Sequence, residues 1–300
     1  SDGTHNSGSE YTAGVTTTGT PGTDGTTTIV LANDAPTLYY YCSVHSGMGG
    51  QVTPNTKRGS SNLKGSIQSI VSAAPDAGFS IASYTGTGSN GTVAHGLSSA
   101  PEMIMVKNRD DAENWVVGHE YAASDAWTDY LRLNATLKLN DSVNMWNDTA
   151  PTATVFSVGI HNTSNGTDDG MIAYCFHSVD GFSKVGSYVG NGNNSPDGTF
   201  VYTGFRPAWV MVKDITDTSA WVIIDNKRAE PYNIDTARIY ADDNLAETAL
   251  NTNRYMELFS NGFRVHGNNA SSVTNKWNES NDSYVYLAFA EQPFKYANAR

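Results

Sequence analysis

Residues 78–92 read GFSIASYTGTGSNGT, and residues 181–199 read GFSKVGSYVGNGNNSPDGT. Ser83-Tyr84 answers Ser187-Tyr188, and Gly86 and Gly88 answer Gly190 and Gly192. Downstream of each stretch comes a proline, an apolar run and a lysine: SAPEMIMVK ends at Lys107 and FRPAWVMVK at Lys213, followed by Trp115 and Trp221. Proline, lysine and tryptophan keep a single offset of 106 residues, which shared composition would not produce and a duplicated unit does. Later words agree more loosely. Val155-Phe156-Ser157-Val158 answers Gly262-Phe263-Arg264-Val265, and MIAYCFH at 171–177 answers YVYLAFA at 284–290, so insertions separate them.

A unit of this length is too long for a solenoid rung and suits one β-sandwich. Gly, Ser, Thr and Asn are abundant while charged residues make up only 16%, a composition of short strands and tight turns. The chain is therefore predicted to be all-β, with tandem β-sandwich, jelly-roll-like domains over 78–180 and 181–300. Residues 1–53 form a separate small β piece, and 54–77 a polar linker with a short helix. Met103–Lys107 and Trp209–Lys213 are continuous apolar runs ended by a charge, as expected of a strand covered on both faces. Helical spacing is found at Leu63, Ile67, Ile70 and Val71, within 63–73, and a second short helix is read at 243–250.

Thirty acidic residues against 18 basic ones give a net charge of -12, which excludes a nucleic-acid backbone or an anionic membrane as the natural partner. The longest apolar runs are too short to cross a bilayer, so no membrane insertion is expected. Two cysteines, Cys42 and Cys175, do not make a disulfide framework.

The N-terminal piece contains YYYCSVHSGMGGQ at 39–51. Thiolate, imidazole and thioether groups spaced along one loop are blue-copper ligands, and Cys42, His45 and Met48 resemble that loop of the cupredoxin family. The resemblance covers about fifteen residues and implies a cupredoxin-like fold for the piece. The Cys-to-Met spacing is shorter than in plastocyanin-like relatives, and His5, the one upstream histidine, sits in a turn-like setting. The alternative is a cupredoxin-like fragment whose Cys and Met pack as small apolar groups. His95, His119, His161, His177 and His266 show no H-x-x-x-H spacing, and His95 is read as a loop cap. The acidic pairs Asp110-Asp111, Asp168-Asp169 and Asp242-Asp243 suit either calcium or solvated turns. The expectation is no cofactor, with copper or calcium as alternatives.

No nucleophile elbow, phosphate loop, H-E-x-x-H or dinucleotide fingerprint occurs, so an enzyme is not expected. Trp115, Trp209 and Trp221 lie in apolar strands and are assigned to the core. Trp146 and Trp277 sit among Asn, Asp and Ser, and are the predicted contact surface.

Taken together, SSNLKGSIQSIVSAAPDAGFSI, SYTGTGSNGTVAHGL, PEMIMVKNR, WNDTAP and the ending AFAEQPFKYANAR resemble tail-associated proteins of marine bacteriophages over nearly the full length. The resemblance implies a virion or extracellular location and a structural or receptor-binding role in a tail or appendage. Its implied partners are copies of itself, other virion proteins and a host surface glycan or protein. A secreted copper or redox protein and a polysaccharide-degrading tailspike-type enzyme are the alternatives.

Overall fold

The computed structural model describes residues 9–20, 23–29, 37–41, 49–52, 59–122, 125, 127–194, 196–228, 234–235, 237–249, 255–267 and 276–292. The chain divides into two compact units, Ser1–Ser61 and Asn62–Arg300. In the first, β1 (Val15–Thr18) pairs antiparallel with β2 (Thr26–Ile29), and β3 (Leu38–Tyr41) with β4 (Gly49–Val52). The first hairpin is built from threonine rungs, Thr16 opposite Thr28 and Thr17 opposite Thr27, the β-branched type that suits a pleated surface.

The second unit is all-β and carries the duplication. Its first repeat comprises β5 (Ser60–Asn62, which crosses the unit boundary), β6 (Ser69–Ala74), β7 (Phe79–Thr85), β8 (Gly91–Ala94), β9 (Met103–Asn108), β10 (Val116–His119), β11 (Asp129–Arg132), β12 (Asn140–Asp141), β13 (Val155–Val158) and β14 (Gly170–Phe176). Two one-turn helices, α1 (Val143–Trp146) and α2 (Asn162–Asn165), interrupt it. The second repeat comprises β15 (Ser183–Val189), β16 (Thr199–Tyr202), β17 (Pro207–Asp214), β18 (Val222–Asp225), β19 (Ile234–Asp235), β20 (Ala237–Tyr240), β21 (Thr248–Ala249), β22 (Met256–Phe259), β23 (Gly262–Val265) and β24 (Ser283–Ala290).

The sheet orders match over six strands. The first repeat runs β12-β11-β10-β9-β14-β7-β6-β5 and the second β15-β24-β17-β18-β20-β21, so β7-β14-β9-β10-β11-β12 and β15-β24-β17-β18-β20-β21 are the same path. The opposing layer pairs β8 with β13 in one repeat and β16 with β23 in the other, where β22 and β19 extend it. Register fixes the equivalences: Val117 opposite Met105 answers Ile223 opposite Met211, and Tyr174 opposite Met105 answers Leu287 opposite Met211.

Each sandwich has its own core. Tyr84, Ile104, Val106, Trp146 and Phe156 belong to the first, and Tyr188, Val210, Val212, Phe263 and Tyr286 to the second. Because strand side chains alternate, the odd positions of β9 point the other way. Met103 and Met105 join Val117 and Leu131 in a third cluster with Val185, Met211, Trp221, Val285 and Leu287. The two large sheets therefore pack face to face, covering Met103 of β9 and Met211 of β17 on the outer side while Met105 and Trp209 stay half-buried.

Side-chain hydrogen bonds fix this junction: Trp221 Nε1 donates to Arg132 O at 2.8 Å, and Lys213 Nζ donates to Thr136 O at 3.0 Å. Lys213 also donates to Ser219 O. Burial lowers the Lys213 ammonium to about 8, while Asp242 and Asp214 pull it back up.

The quoted Gly-x-Gly stretches have a duplicated physical cause. A Cβ on Gly86 would lie 2.1 Å from Gly166 O, and one on Gly190 would lie 2.2 Å from Glu279 O. These two glycines are needed for close backbone approach, whereas Gly88 (φ +62°) and Gly192 (φ +68°) supply the left-handed conformation. A buried asparagine completes each turn. Asn165 Oδ1 accepts from Thr87 N at 2.8 Å, and its Nδ2 donates to Ser89 O at 2.7 Å and Gly159 O at 2.8 Å. Asn278 repeats this with Asn191 N at 3.2 Å, Asn193 O at 3.0 Å and Gly267 O at 3.2 Å. Tyr84 and Tyr188 hydroxyls donate to Ser164 O at 2.6 Å and Trp277 O at 2.7 Å, closing the same corner.

Three local expectations are corrected. The stretch 63–73 is not helical: Ile67, Ser69 and Val71 are buried in period two, while Leu63 is 73% exposed. Ile67 bridges to Val93, and Ser69–Ala74 pairs with β7, so burial against the sheet overrides the helical spacing. The expected linker 54–77 accordingly supplies β5 and β6. Residues 243–247 have no regular structure, and β21, which follows them, pairs with β20.

Candidate functional site

Trp146 and Trp277 are not surface groups: they are 0% and 1% exposed. The one-turn helix α1 turns the Trp146 indole inward, where it meets Trp127 edge-on at 5.7 Å between ring centroids. Trp277 Nε1 donates to His266 O at 2.9 Å, and the Arg238 guanidinium lies 5.7 Å from its ring. Polar neighbours in a loop do not report the direction of the ring, and the expected contact surface is withdrawn. Trp221 is core as expected, but Trp115 and Trp209 are only half-buried. Cys42, His45 and Met48 lie outside the described residues.

The acidic pairs are used locally. Asp169 Oδ2 accepts from Asn108 Nδ2 at 2.7 Å, Asp110 Oδ2 from Gly170 N at 2.5 Å and Asp242 Oδ1 from Trp221 N at 2.9 Å. Among the described residues no three His, Cys, Asp or Glu side chains group as a metal site. No helix among them is long and apolar enough to cross a membrane.

Three histidines share one role. Nδ1 of His95, His119 and His161 accepts the amide of the residue two positions on, from Leu97 at 3.1 Å, Tyr121 at 3.2 Å and Thr163 at 3.1 Å. In His119 this leaves Nε2–H to donate to Tyr286 O at 3.4 Å, across the junction between the repeats. The neutral ring satisfies both partners, and burial holds its pKa down at about 4.

In the unfolded chain the imidazole titrates near 6.5, so below that pH the unfolded state binds a proton that the folded state refuses. Stability from this group is therefore complete above about 6.5 and lost as pH falls toward 4, by about 3 kcal/mol at most. Asp214 works in the opposite sense, since burial raises its carboxyl to about 6. Urea titrations at pH 7 and pH 5 are expected to show a larger loss for the wild type than for His119→Gln, the difference isolating the imidazole. Equal losses would refute this role.

The exposed face that stands out is on the outer layer of the second repeat. Phe200 and Tyr202 point to solvent from β16, 42% and 67% exposed, flanking the buried Val201. Across the ladder Phe200 faces Arg264, Tyr202 faces Gly262, and Glu257 faces Arg264 in turn. Phe200 and Phe259 meet edge-on at 5.9 Å between centroids, and Arg264 lies 5.1 Å from the Phe259 ring. A Cβ on Gly262 would lie 2.1 Å from Val201 O and 3.0 Å from Phe200 Cζ, so this glycine serves first the close approach of the β16 backbone and then leaves room for the ring.

Glu257 is already engaged, by His266 Nε2 at 2.7 Å and Arg264 Nη1 at 3.8 Å. Chemically this is a flat aromatic platform edged by a guanidinium, able to stack on a sugar or peptide face. The first repeat has no such platform: the register equivalents of Phe200 and Tyr202 are Thr92 and the buried Ala94. That small-to-aromatic difference between otherwise matched strands was the sequence signal available for it.

Neither a curated protein nor a solved structure matches the chain. Residues 52–293 match the family described as a domain of unknown function (DUF7483), a span that takes in both repeats. The duplicated sandwich pair is thus the body to which that description applies, and the chain belongs to this family.

Proposed function

We propose that the chain is a structural and receptor-binding component of a phage tail or virion appendage, adhering to host surface glycans or proteins. The observation that carries the reading is the solvent-facing pair Phe200 and Tyr202 on a sheet that the second sandwich core holds rigid. Large rings left in water on a regular strand cost solubility unless they serve a contact. The platform's carboxylate, Glu257, is tied to His266 and Arg264 rather than opposed to a second carboxylate, an arrangement that favours binding over glycoside hydrolysis. Repetition along an appendage would raise a weak contact to useful avidity.

The test is adsorption of the purified chain to host cells and to isolated envelope glycans. Replacing both rings, Phe200→Ala with Tyr202→Ala, is expected to weaken binding roughly 10- to 100-fold at unchanged thermal stability, about 1 kcal/mol per stacking ring. Undiminished binding by the double variant, or none by the wild type, would rule the reading out.

A further inference from the structure

The two repeats use one and the same sheet face differently. In the second repeat the outward residues Val185, Met211, Trp221, Val285 and Leu287 are 0–3% exposed, because the first repeat lies over them. Their register equivalents in the first repeat are Ile81, Met105, Trp115, Ile172 and Tyr174, and all five are only half-buried. The first repeat covers its sister with a patch displaced toward β11: Met103, Val117 and Leu131. That offset makes the packing head-to-tail in character, with different patches meeting, and it leaves one patch of each kind only partly covered.

The partly covered face of the first repeat is a cleft of about 510 Å³. Phe79, Met105, Trp115, Tyr174 and Phe176 line it, and Phe289 of the second repeat closes one side. Trp115 and Tyr174 rings stand 6.0 Å apart, and Phe176 meets Phe289 edge-on at 6.4 Å. Met105, Phe176 and Phe289 also border the cluster between the repeats, so the cleft continues an interface already formed. On the second repeat the equivalents of Met103, Val117 and Leu131 are Trp209, Ile223 and Ile239: the first two lie half-buried at the edge of the cluster between the repeats, and Ile239 is 37% exposed.

We infer that the cleft of the first repeat is the docking site for a second copy of this chain, through its Trp209, Ile223 and Ile239 surface. The new junction repeats the internal one. The contact is heterologous, so it propagates to a ring or an open filament and not to a closed two-fold dimer. This inference is independent of the aromatic platform on β16, and either can fail alone.

Sedimentation of the full chain over a hundredfold concentration range tests it, with Tyr174→Lys and Ile239→Lys altering one patch each. The wild type is expected to grow beyond dimers, whereas each variant alone stays monomeric. Mixed, the two variants form dimers and stop, because one intact patch of each kind remains in the pair. Ile239 is exposed enough that its replacement leaves the fold intact, which circular dichroism verifies. A wild type that stays monomeric throughout, or an Ile239→Lys chain that associates like the wild type, overturns the proposal.

Discussion

Trp221→Ala is expected to destabilise the second unit by about 3–5 kcal/mol and to split its single unfolding transition into two. Trp221 is 1% exposed and lies in the cluster between the repeats, with its indole donating to Arg132 O across the junction. Truncation leaves a large void where both sheets are already fixed by their own cores, so collapse around it is limited, and the Arg132 carbonyl loses its partner. The duplicate tryptophan provides the control. Trp115 is half-buried and lines the open cleft, so Trp115→Ala is expected to cost about 1–2 kcal/mol of lost burial. Calorimetry of the two variants checks both statements. Equal costs, or a Trp221→Ala chain that still unfolds in one step at the wild-type temperature, would show that the sheets are not held as described.

The second large effect is at the asparagine clamps. Asn165→Ala strips partners from Thr87 N, Ser89 O and Gly159 O at once, and Asn278→Ala does the same to Asn191 N, Asn193 O and Gly267 O. Ser89 O keeps the Thr87 hydroxyl and Asn193 O keeps Gly267 N, so two groups of each clamp lose their partner, at about 1–3 kcal/mol each, and each variant is expected to lose about 2–4 kcal/mol. Asn165→Asp keeps the acceptor and loses both donated bonds, and is expected to be nearly as damaging. Hydrogen exchange localises the effect: Asn165→Ala opens the 86–92 turn and Asn278→Ala the 190–199 turn. A change spread evenly over both repeats would contradict the assignment.

The fold was largely legible because duplication supplies an internal comparison. Pro101 with Pro207 and Lys107 with Lys213 locate β9 and β17, and the unbroken apolarity of those strands forecasts a second layer on their outer face. The asparagine clamps escaped notice for a simple reason. Asn165 and Asn278 differ by 113, the offset of Phe176 and Phe289, while the opening strands differ by 104 and the central ones by 106. One fixed offset misses groups that lie beyond an insertion.

The Trp146 and Trp277 expectation failed because a one-turn helix and a loop are too short to show a periodicity, so a polar neighbour says nothing about where an indole points. At 63–73 the residues Leu63, Ile67 and Ile70 fit a helix as well as a strand, and only long-range pairing with β7 decides between them. The platform on β16 was written in the sequence as well, but only in the contrast of Phe200 and Tyr202 with Thr92 and Ala94.

The first and last strands of the second repeat are neighbours, with Ser183 opposite Phe289 and Val189 opposite Ser283. Tension along the polypeptide would thus enter and leave that repeat at one end of one ladder. Such a ladder peels, its rungs loaded singly in succession, instead of resisting in shear with all of them together. What braces it is the sister sheet lying over Val185, Val285 and Leu287. In a pulled fibre, the mechanical strength of the second sandwich would be set by the grip of the first.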